Sequence, residues 1–322
     1  MNIDITRHLF QKGNRISFKS KDKFCFAFFI YYGIMNKNYE SSDKMPKKAY
    51  LEITNVCNLQ CTFCHGTKRE PRFISVEEFT SAAKKLRPFA DNLFFHLLGE
   101  PLLHPDIEEF LKISYDLGFR VNITTNGTLL KERESALLLS KSLRKVSISL
   151  HSFEANTLGF SVDEYLLMCF EFCKKCADKG IIAVMRLWNK GGADSLNSYI
   201  ISKMQEFFVG QWKELYSGYK LEEYVFLEWG EFFEWPDMDA DDFGGDHSCY
   251  GLRDQIGVLC DGTVVPCCLD AEGDIALGNI HTDDLGGILN SERAQALRQS
   301  FCTRNITEPL CRRCGYAAKL RR

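Results

Sequence analysis

A strand that runs directly into three closely spaced cysteines is the feature that most constrains this 322-residue chain. From Tyr50 to Val56 apolar and polar side chains alternate, which predicts a strand with one buried face. Cys57, Cys61 and Cys64 follow at once. Three thiolates are one fewer than the four that usually hold an iron–sulfur cluster. A cluster held in this way has one iron open to a ligand from outside the protein.

The composition favours metal ligation over disulfide formation. The chain has 14 cysteines, 45% hydrophobic residues, 26% charged residues and a formal net charge of −3. This charge argues against a protein that coats nucleic acid. We expect no signal peptide, so the cysteines are predicted to bind soft metal centres in a reducing cytoplasm. The apolar run at 24–35 is shorter than the roughly 20 residues of a membrane span, so no membrane partner is expected.

Changes in composition predict four segments. Residues 1–46 are expected to be an N-terminal extension that is disordered or results from a mis-assigned start, because Met45 opens a second plausible start. Residues 47–230 are predicted to form the α/β core. Residues 231–248 are predicted to be an acidic linker, and residues 249–322 a second module that we call the C-terminal module. The acidic linker is interpreted as a solvated connection or, alternatively, as a substrate rim that favours a cationic group.

Six predicted strands, most of them separated by a helix, indicate the α/β class. Such alternation predicts a parallel sheet with right-handed crossovers, here a partial (β/α)6 TIM-like barrel. In such folds the chemistry lies beyond the carboxyl ends of the strands. Three candidate turns lie there: the cysteine loop (residues 57–64), Gly99-Glu100-Pro101 and Thr125-Asn126-Gly127. The strands are predicted at 50–56, 92–98, 119–124, 145–150, 181–187 and 223–228.

The C-terminal module is predicted to be a small β-hairpin-plus-helix domain that binds a cluster. Asp261-Gly262 is the strongest hairpin signal in the chain, within residues 258–266. A helix is predicted at 291–300, before Cys311 and Cys314.

These motifs resemble those of radical S-adenosylmethionine (SAM) enzymes. The spacing Cys-x3-Cys-x2-Cys with Phe63 before the last cysteine, and Gly99-Glu100-Pro101 after the second strand, resemble the two signature motifs of that family. The resemblance covers about residues 47–229. In the C-terminal module, Cys249-x12-Gly262-x4-Cys267 resembles the opening of a SPASM domain. Because no cysteine follows Cys314, the pattern is closer to the shortened form called Twitch, which includes alcohol-oxidising dehydrogenases.

The resemblance implies two 4Fe–4S clusters and SAM as cofactors. Cys57, Cys61 and Cys64 would hold the first cluster, which in this family cleaves SAM to a 5′-deoxyadenosyl radical. The auxiliary cluster would be held by the auxiliary cysteines, which are Cys249, Cys267, Cys311 and Cys314. The implied SAM contacts are Gly99, Glu100 and Pro101 for the methionine ammonium, Thr125, Asn126 and Ser149 for ribose or carboxylate, His151 for SAM or substrate, and Arg186 for the methionine carboxylate.

The leading functional hypothesis is an oxidoreductase that acts on a small alcohol or amino-sugar-type substrate, with an external donor such as flavodoxin or ferredoxin. One alternative is a maturase that crosslinks or epimerises a peptide. Another is a non-catalytic metal-binding module, including a zinc site completed by His65. Cys260, Cys268 and Cys302 remain alternatives for the auxiliary cluster.

A second triplet repeats the spacing of the first. Cys169, Cys173 and Cys176 lie in a helical pattern, where positions i, i+4 and i+7 share one face. We predict that these three cysteines pack in the core and bind no metal, because a buried free cysteine behaves as a small hydrophobe.

Overall fold

The computed structural model describes residues 47–319, and the predictions for residues 1–46 therefore lie outside the described residues. The strands are β1 (Lys48–Leu51), β2 (Asn92–Phe94), β3 (Arg120–Thr125), β4 (Leu143–Ser149), β5 (Ile182–Lys190), β6 (Lys213–Leu215), β7 (Gly218–Glu222), β8 (Val225–Glu231), β9 (Gln255–Val258), β10 (Thr263–Val265) and β11 (Gly278–Asn279). The helices are α1 (Val76–Leu86), α2 (Ile107–Asp116), α3 (Leu130–Leu138), α4 (Val162–Asp178), α5 (Asn197–Phe207), α6 (Leu285–Leu289), α7 (Glu292–Thr303), α8 (Pro309–Arg312) and α9 (Gly315–Ala318).

The strands of residues 47–319 form one open sheet in the order β11-β10-β9-β1-β2-β3-β4-β5-β8-β7-β6. The run β1-β2-β3-β4-β5-β8 is parallel throughout, which confirms the predicted partial (β/α)6 barrel. The hairpin of β6 and β7 precedes β8 and pairs with it antiparallel, an addition that the sequence pattern did not predict.

The C-terminal module extends this sheet. The predicted hairpin is confirmed, because β9 and β10 pair antiparallel and Gly262 adopts a φ of +89° in the turn between them. Strand β9 also pairs in parallel with β1, from Lys48 opposite Gln255 to Leu51 opposite Val258. The auxiliary cysteines are therefore joined to the barrel through the same strand that leads into the cysteine loop.

The first strand differs from its prediction. It ends at Leu51, and every residue from Leu51 to Asn55 is buried, so the expected exposed face is absent from this stretch. Strands of parallel sheets are commonly covered on both faces. Here the polar side chains of Glu52, Thr54 and Asn55 are buried, and each has a hydrogen-bond partner. These hydrogen bonds offset the free-energy cost of removing the side chains from water.

The helices are specified by local signals that the sequence displays. Helix α1 begins with a capping box in which Ser75 and Glu78 bond each other's backbone amides, as predicted. Helix α4 has an equivalent box at Ser161 and Glu164. The Cys169–Cys176 triplet lies on the buried face of α4, which confirms the core assignment. None of the helices between residues 47 and 319 has the length and apolarity needed to cross a bilayer.

Candidate active site between two cysteine sets

A cavity of about 1070 Å³ lies inside the barrel, and both cysteine sets line it. Residues along β1 to β5 contribute one part of the wall, and the C-terminal module contributes another. Eight cysteines line the cavity: Cys57, Cys61, Cys64, Cys249, Cys267, Cys268, Cys311 and Cys314. The structure thus brings the two cysteine sets of the sequence to a single space.

The cysteine loop is fixed at its base by buried polar side chains. The Thr54 hydroxyl donates to the carbonyl oxygen of Arg72 (2.8 Å), and the Asn55 amide donates to that of Glu70 (2.8 Å). The Arg72 amide returns a hydrogen bond to Asn55 Oδ1 (2.7 Å). These bonds close the chain into a loop, so the three thiols are presented from an anchored segment.

Two asparagines hold the loop from outside. Asn156 donates from Nδ2 to the sulfur of Cys61 (3.1 Å), and its Oδ1 accepts from the Gln60 amide (3.0 Å). Asn126 donates to Asn58 Oδ1 (2.9 Å). Hydrogen bonds to the sulfur ligands tune the potential of an iron–sulfur cluster. Sequence reasoning missed Asn156, because it lies about 95 residues beyond the loop and no local pattern marks it.

The Gly-Glu-Pro turn needs glycine for a steric reason. Gly99 has a φ of +72°, in the left-handed region that favours glycine. A Cβ at this position would lie 2.3 Å from the carbonyl oxygen of Thr54. The turn therefore packs directly against the backbone segment that precedes the cysteine loop. The Glu100 amide donates a hydrogen bond to the carbonyl oxygen of Val56 in that segment (2.9 Å).

Glu100 is buried, and most of its hydrogen-bonding capacity is used by the protein itself. Its Oε1 accepts from the Thr125 hydroxyl (2.7 Å) and the Leu102 amide (3.0 Å), and its Oε2 accepts from the Asn126 amide (2.7 Å). A carboxylate oxygen has two lone pairs, so one acceptor position is left at Oε2. Burial raises the pKa of Glu100 to about 7, opposed by these hydrogen bonds.

The other predicted SAM contacts differ in whether their polar atoms already form hydrogen bonds within the protein. Thr125 and Asn126 line the cavity but are bonded to Glu100 and Asn58. Ser149 lines the cavity at the end of β4. Pro101 is buried as the first residue of a 3-10 turn and is not part of the cavity wall.

His151 connects the cysteine loop to β5. Its ring packs against Phe63 with a centroid distance of 4.7 Å, and its Nδ1 lies 3.0 Å from the carbonyl oxygen of Arg186. Burial lowers the pKa of His151 to about 4, so the ring is neutral at pH 7.

Arg186 lies in the part of the cavity next to the auxiliary cysteines. Burial lowers its pKa, and the groups that act next most strongly on it are Glu228, Tyr50 and Cys268. Its guanidinium carbon is 3.6 Å from the centre of the Trp188 ring. Contact with the methionine carboxylate of SAM therefore remains a prediction for Arg186, and its surroundings point toward the other end of the cavity.

The auxiliary cysteines all line the cavity, and Cys268 follows Cys267 directly in the chain. Burial raises the pKa of Cys267, and the charges that add to this effect are those of Cys249, Cys268, Cys311 and Cys314. Cys268 contacts Gln255 and Tyr50. Of the remaining alternatives, Cys302 lies on α7 and, like Cys260, is absent from the cavity wall.

Cys260 belongs to a buried network that joins the two halves of the chain. Glu52 forms a bidentate ion pair with Arg69 (2.8 Å for each bond) and accepts from the amides of Leu98 (3.2 Å) and Cys260 (3.0 Å). Arg69 also donates to the Ala271 carbonyl (2.9 Å). The only sequence signal for this network is Glu52, an acidic residue within the stretch that leads into the cysteine loop.

The acidic linker contributes aromatic side chains to the cavity. Trp235 donates from its indole to the carbonyl oxygen of Phe63 (3.1 Å), and its ring stacks on His65. The His65 imidazole is 3.9 Å from Asp237. Within residues 47–319, no three His, Cys, Asp or Glu side chains, those of the two cysteine sets included, are grouped as ligands of a single metal ion.

Two family models match the chain. The Radical SAM superfamily model matches residues 51–189, from the end of β1 into β5. A model named SPASM, described as an iron-sulfur cluster-binding domain, matches residues 249–315, from the first auxiliary cysteine to one residue beyond the last. Together they imply a SAM-binding 4Fe–4S cluster and auxiliary cluster binding, as the sequence motifs had predicted.

The chain is also similar to curated proteins. A probable GTP 3′,8-cyclase of Saccharolobus islandicus is 33% identical over 139 residues, which are 42% of this chain and 44% of that protein. A probable GTP 3′,8-cyclase of Methanothermobacter thermautotrophicus is 37% identical over 116 residues, 34% of this chain and 37% of that protein. The chain thus spans less than half the length of these relatives.

Solved structures share the fold over most of the chain. BtrN in complex with AdoMet and 2-DOIA has a TM-score of 0.56 at 17% identity, covering 85% of this chain and 94% of BtrN. The protein anSMEcpe with bound AdoMet has a TM-score of 0.55 at 15% identity, covering 83% and 85%. Streptococcus suis SuiB bound to S-adenosylmethionine has a TM-score of 0.52 at 15% identity, covering 88% and 84%.

Proposed function

Because the chain is a radical SAM enzyme with a C-terminal iron–sulfur cluster-binding domain, we propose that it oxidises a small alcohol or amino-sugar-type substrate. In this proposal SAM is consumed as an oxidant, the substrate loses a hydrogen atom and a proton, and the second electron leaves through the auxiliary cluster. A flavodoxin or ferredoxin supplies the initiating electron.

The residues present fit the two implied clusters. Cys57, Cys61 and Cys64 offer three thiols from one anchored loop, which leaves one iron for SAM. When bound, this cluster and SAM supply a 5′-deoxyadenosyl radical, which is the chemistry that the protein itself lacks. The four auxiliary cysteines would hold the second cluster with full cysteine ligation, which favours electron transfer over substrate binding.

The chain's own residues bind, orient and exclude water. The free acceptor position of Glu100 and the backbone of Gly99 would hold the methionine ammonium, and Ser149 offers a hydroxyl to the ribose or carboxylate. Asn126 and Asn156 would fix the loop, and Phe63 and His151 would provide a packed wall beside it. Such pre-positioning shortens the search for a reactive geometry.

One observation carries the proposal: a single cavity is lined by both cysteine sets. A substrate between them would meet the radical on one side and an electron acceptor on the other. A lone radical initiator or a structural metal site has no need for that arrangement.

The test is anaerobic reconstitution followed by chemical reduction. We expect about eight irons per chain for two 4Fe–4S clusters and formation of 5′-deoxyadenosine from SAM. With the true substrate, one 5′-deoxyadenosine should form per oxidised product. An absence of SAM cleavage in the fully loaded protein would exclude the proposal.

A second candidate is a peptide maturase, because part of the cavity wall is both exposed and aromatic. Phe232, Tyr250 and Tyr316 line the cavity with 38%, 47% and 38% of their surface exposed. Exposed aromatic side chains suit an extended ligand such as a peptide. Incubation with a candidate precursor peptide would then give a crosslinked or epimerised peptide in place of an oxidised small molecule.

A further inference from the structure

The cavity contains buried hydrogen-bond donors that have no acceptor. Among the described residues, neither Nε of Arg186 nor Nε1 of Trp188 has a hydrogen-bond partner, although both atoms are buried. Both residues line the cavity. A buried N–H group without a partner costs free energy, so such groups in native proteins usually have a ligand or an ordered water as acceptor.

The two unpaired donors lie together on β5, and the neighbouring strands complete this part of the cavity wall. On β5, Arg186 and Trp188 are two residues apart and therefore face the same side of the sheet. On β4, Lys145, Ser147 and Ser149 follow the same alternation, and all three line the cavity. On β8, Gly230 leaves room for the Trp188 ring, since a Cβ there would lie 2.5 Å from Cγ of that ring.

The charges in this part of the cavity are predominantly positive. Arg186 is stacked on Trp188 and lies 3.8 Å from Glu228, a distance too long for a hydrogen bond. Lys145 is half-buried, and desolvation lowers its pKa. His96 adds no charge, because burial lowers its pKa to about 3. Lys48 and Arg144 also act on Lys145, so cations outnumber the Glu228 carboxylate in this part of the cavity.

We propose that the substrate carries an anionic group, a carboxylate or a phosphate, bound by Arg186 and Trp188 near the auxiliary cysteines, with Lys145 as a more distant cation. This assignment rests on the proposed function, because it takes the same cavity to be the substrate site, and it narrows the proposed alcohol or amino sugar to one that carries a carboxylate or phosphate. Arginine suits such a role, since its guanidinium donates in a fork that matches carboxylate and phosphate oxygens. The indole N–H adds a neutral donor that fixes the orientation of the anion.

The experiment compares four three-carbon probes that differ in charge. Glycerol 3-phosphate, glycerate, glycerol and 3-aminopropane-1,2-diol are titrated into the reconstituted protein with SAM, and dissociation constants are measured by anaerobic calorimetry. We expect both anions to bind at least about tenfold more tightly than the neutral and cationic probes, because hydrogen bonds to charged groups are stronger than neutral ones. The preference between phosphate and carboxylate then identifies the group.

Variants connect the binding to the named donors. Arg186→Gln removes the charge, and Trp188→Phe removes only the indole N–H while keeping an aromatic ring. Each should weaken binding of the tighter anion about tenfold. Lys112→Gln, on an exposed face of α2, is the matched control and should bind like the wild type. Should Arg186→Gln not fold, as judged by its iron content, Trp188→Phe still tests the assignment.

The assignment and the proposed function fail separately. Equal binding of all four probes, or no binding at all, would overturn the anion site, as would unchanged affinity in both Trp188→Phe and Arg186→Gln. Formation of 5′-deoxyadenosine by the wild-type protein is measured on the same protein preparation, with SAM and without any probe. Anion binding without SAM cleavage would support the anion site and exclude the proposed function. SAM cleavage without anion selectivity would support the proposed function and exclude the anion site.

Discussion

The same spacing of three cysteines occurs twice in this chain, with opposite structural outcomes. Cys57 and Cys64 are exposed on an anchored loop, and the sulfur of Cys61 accepts a hydrogen bond from Asn156. Cys169 and Cys173 of the second triplet are fully buried on one face of α4. The motif therefore acquires its meaning from the backbone that carries it.

The difference also shows how the two triplets cooperate. A Cβ at Gly127 would lie 3.2 Å from the sulfur of Cys169, so α4 packs directly under the Thr125-Asn126-Gly127 turn. That turn donates two hydrogen bonds to Glu100 and one to Asn58 in the cysteine loop. Cys169 of the buried triplet thus packs beneath the turn that contacts the cysteine loop.

The largest expected effect comes from replacing the exposed triplet. Cys57→Ala, Cys61→Ala and Cys64→Ala together should abolish SAM cleavage and reduce the iron content from about eight to about four per chain. The auxiliary cysteines are untouched, so the remaining iron should stay bound. The measurements are an iron assay and quantification of 5′-deoxyadenosine after anaerobic reduction.

The buried triplet provides the matched control for this experiment. Cys169→Ala, Cys173→Ala and Cys176→Ala together remove the same number of thiols at the same spacing. This variant should keep the full iron content. A loss of about four irons from it, or SAM cleavage by the first variant, would reverse the assignment of the two triplets.

A smaller effect is expected at Asn156, which donates a hydrogen bond to a cysteine of the exposed triplet. Asn156→Ala removes the hydrogen bond to Cys61 and the acceptor of the Gln60 amide. Loss of such an outer partner typically lowers metal affinity or activity by about 10- to 100-fold. The rate of SAM cleavage should fall within that range at unchanged protein stability. Asn290→Ala, at the exposed end of α6, is the control and should cleave SAM at the wild-type rate.

Substitution within the buried triplet should lower the free energy of unfolding. Cys173→Ser replaces a fully buried thiol with a more strongly hydrated hydroxyl in an apolar environment. Burial of a hydroxyl costs roughly 1–3 kcal/mol, so the free energy of unfolding should decrease by up to that amount. Denaturant unfolding measures it, and Cys64→Ser on the exposed loop should change the stability of the cluster-free protein far less.

Local signals in the sequence were sufficient for the barrel and for the turns at the strand ends. The alternation of strands and helices, the capping box at Ser75 and the Asp261-Gly262 hairpin each depend on neighbours within a few residues. Gly99 could also be singled out, because glycine before Glu-Pro at a strand end marks a turn. The close approach to Thr54 that requires this glycine is visible only in the structure.

Most of the features that escaped prediction depend on contacts between distant parts of the chain. Pairing of β9 with β1 joins residues about 200 positions apart, and the Glu52–Arg69 ion pair seals the same junction. Trp188 was missed because tryptophan in a strand is ordinarily read as a packing residue. Its unpaired indole N–H became apparent only when the fold placed it beside Arg186 in the cavity.

The smallest expected effect is a pH dependence of SAM binding through Glu100. Burial raises the pKa of this carboxyl to about 7 from an ordinary 4.5. Below pH 7 the carboxyl is protonated and loses its attraction for the methionine ammonium, so the Kd for SAM should rise by up to about fivefold between pH 7 and pH 6. Calorimetric titration measures this change, and Glu100→Gln should bind SAM more weakly with no such dependence over the same interval.

The pH dependence of SAM binding through Glu100 is opposite in sign to the pH dependence of protein stability. A carboxyl whose pKa is raised in the folded state makes the protein less stable as the pH rises from 4.5 through 7, because the unfolded chain ionises first. SAM binding should strengthen over the upper part of the same range. If affinity for SAM instead weakened between pH 6 and pH 7 in parallel with stability, Glu100 would be a structural carboxyl whose only partners are Thr125, Asn126 and Leu102.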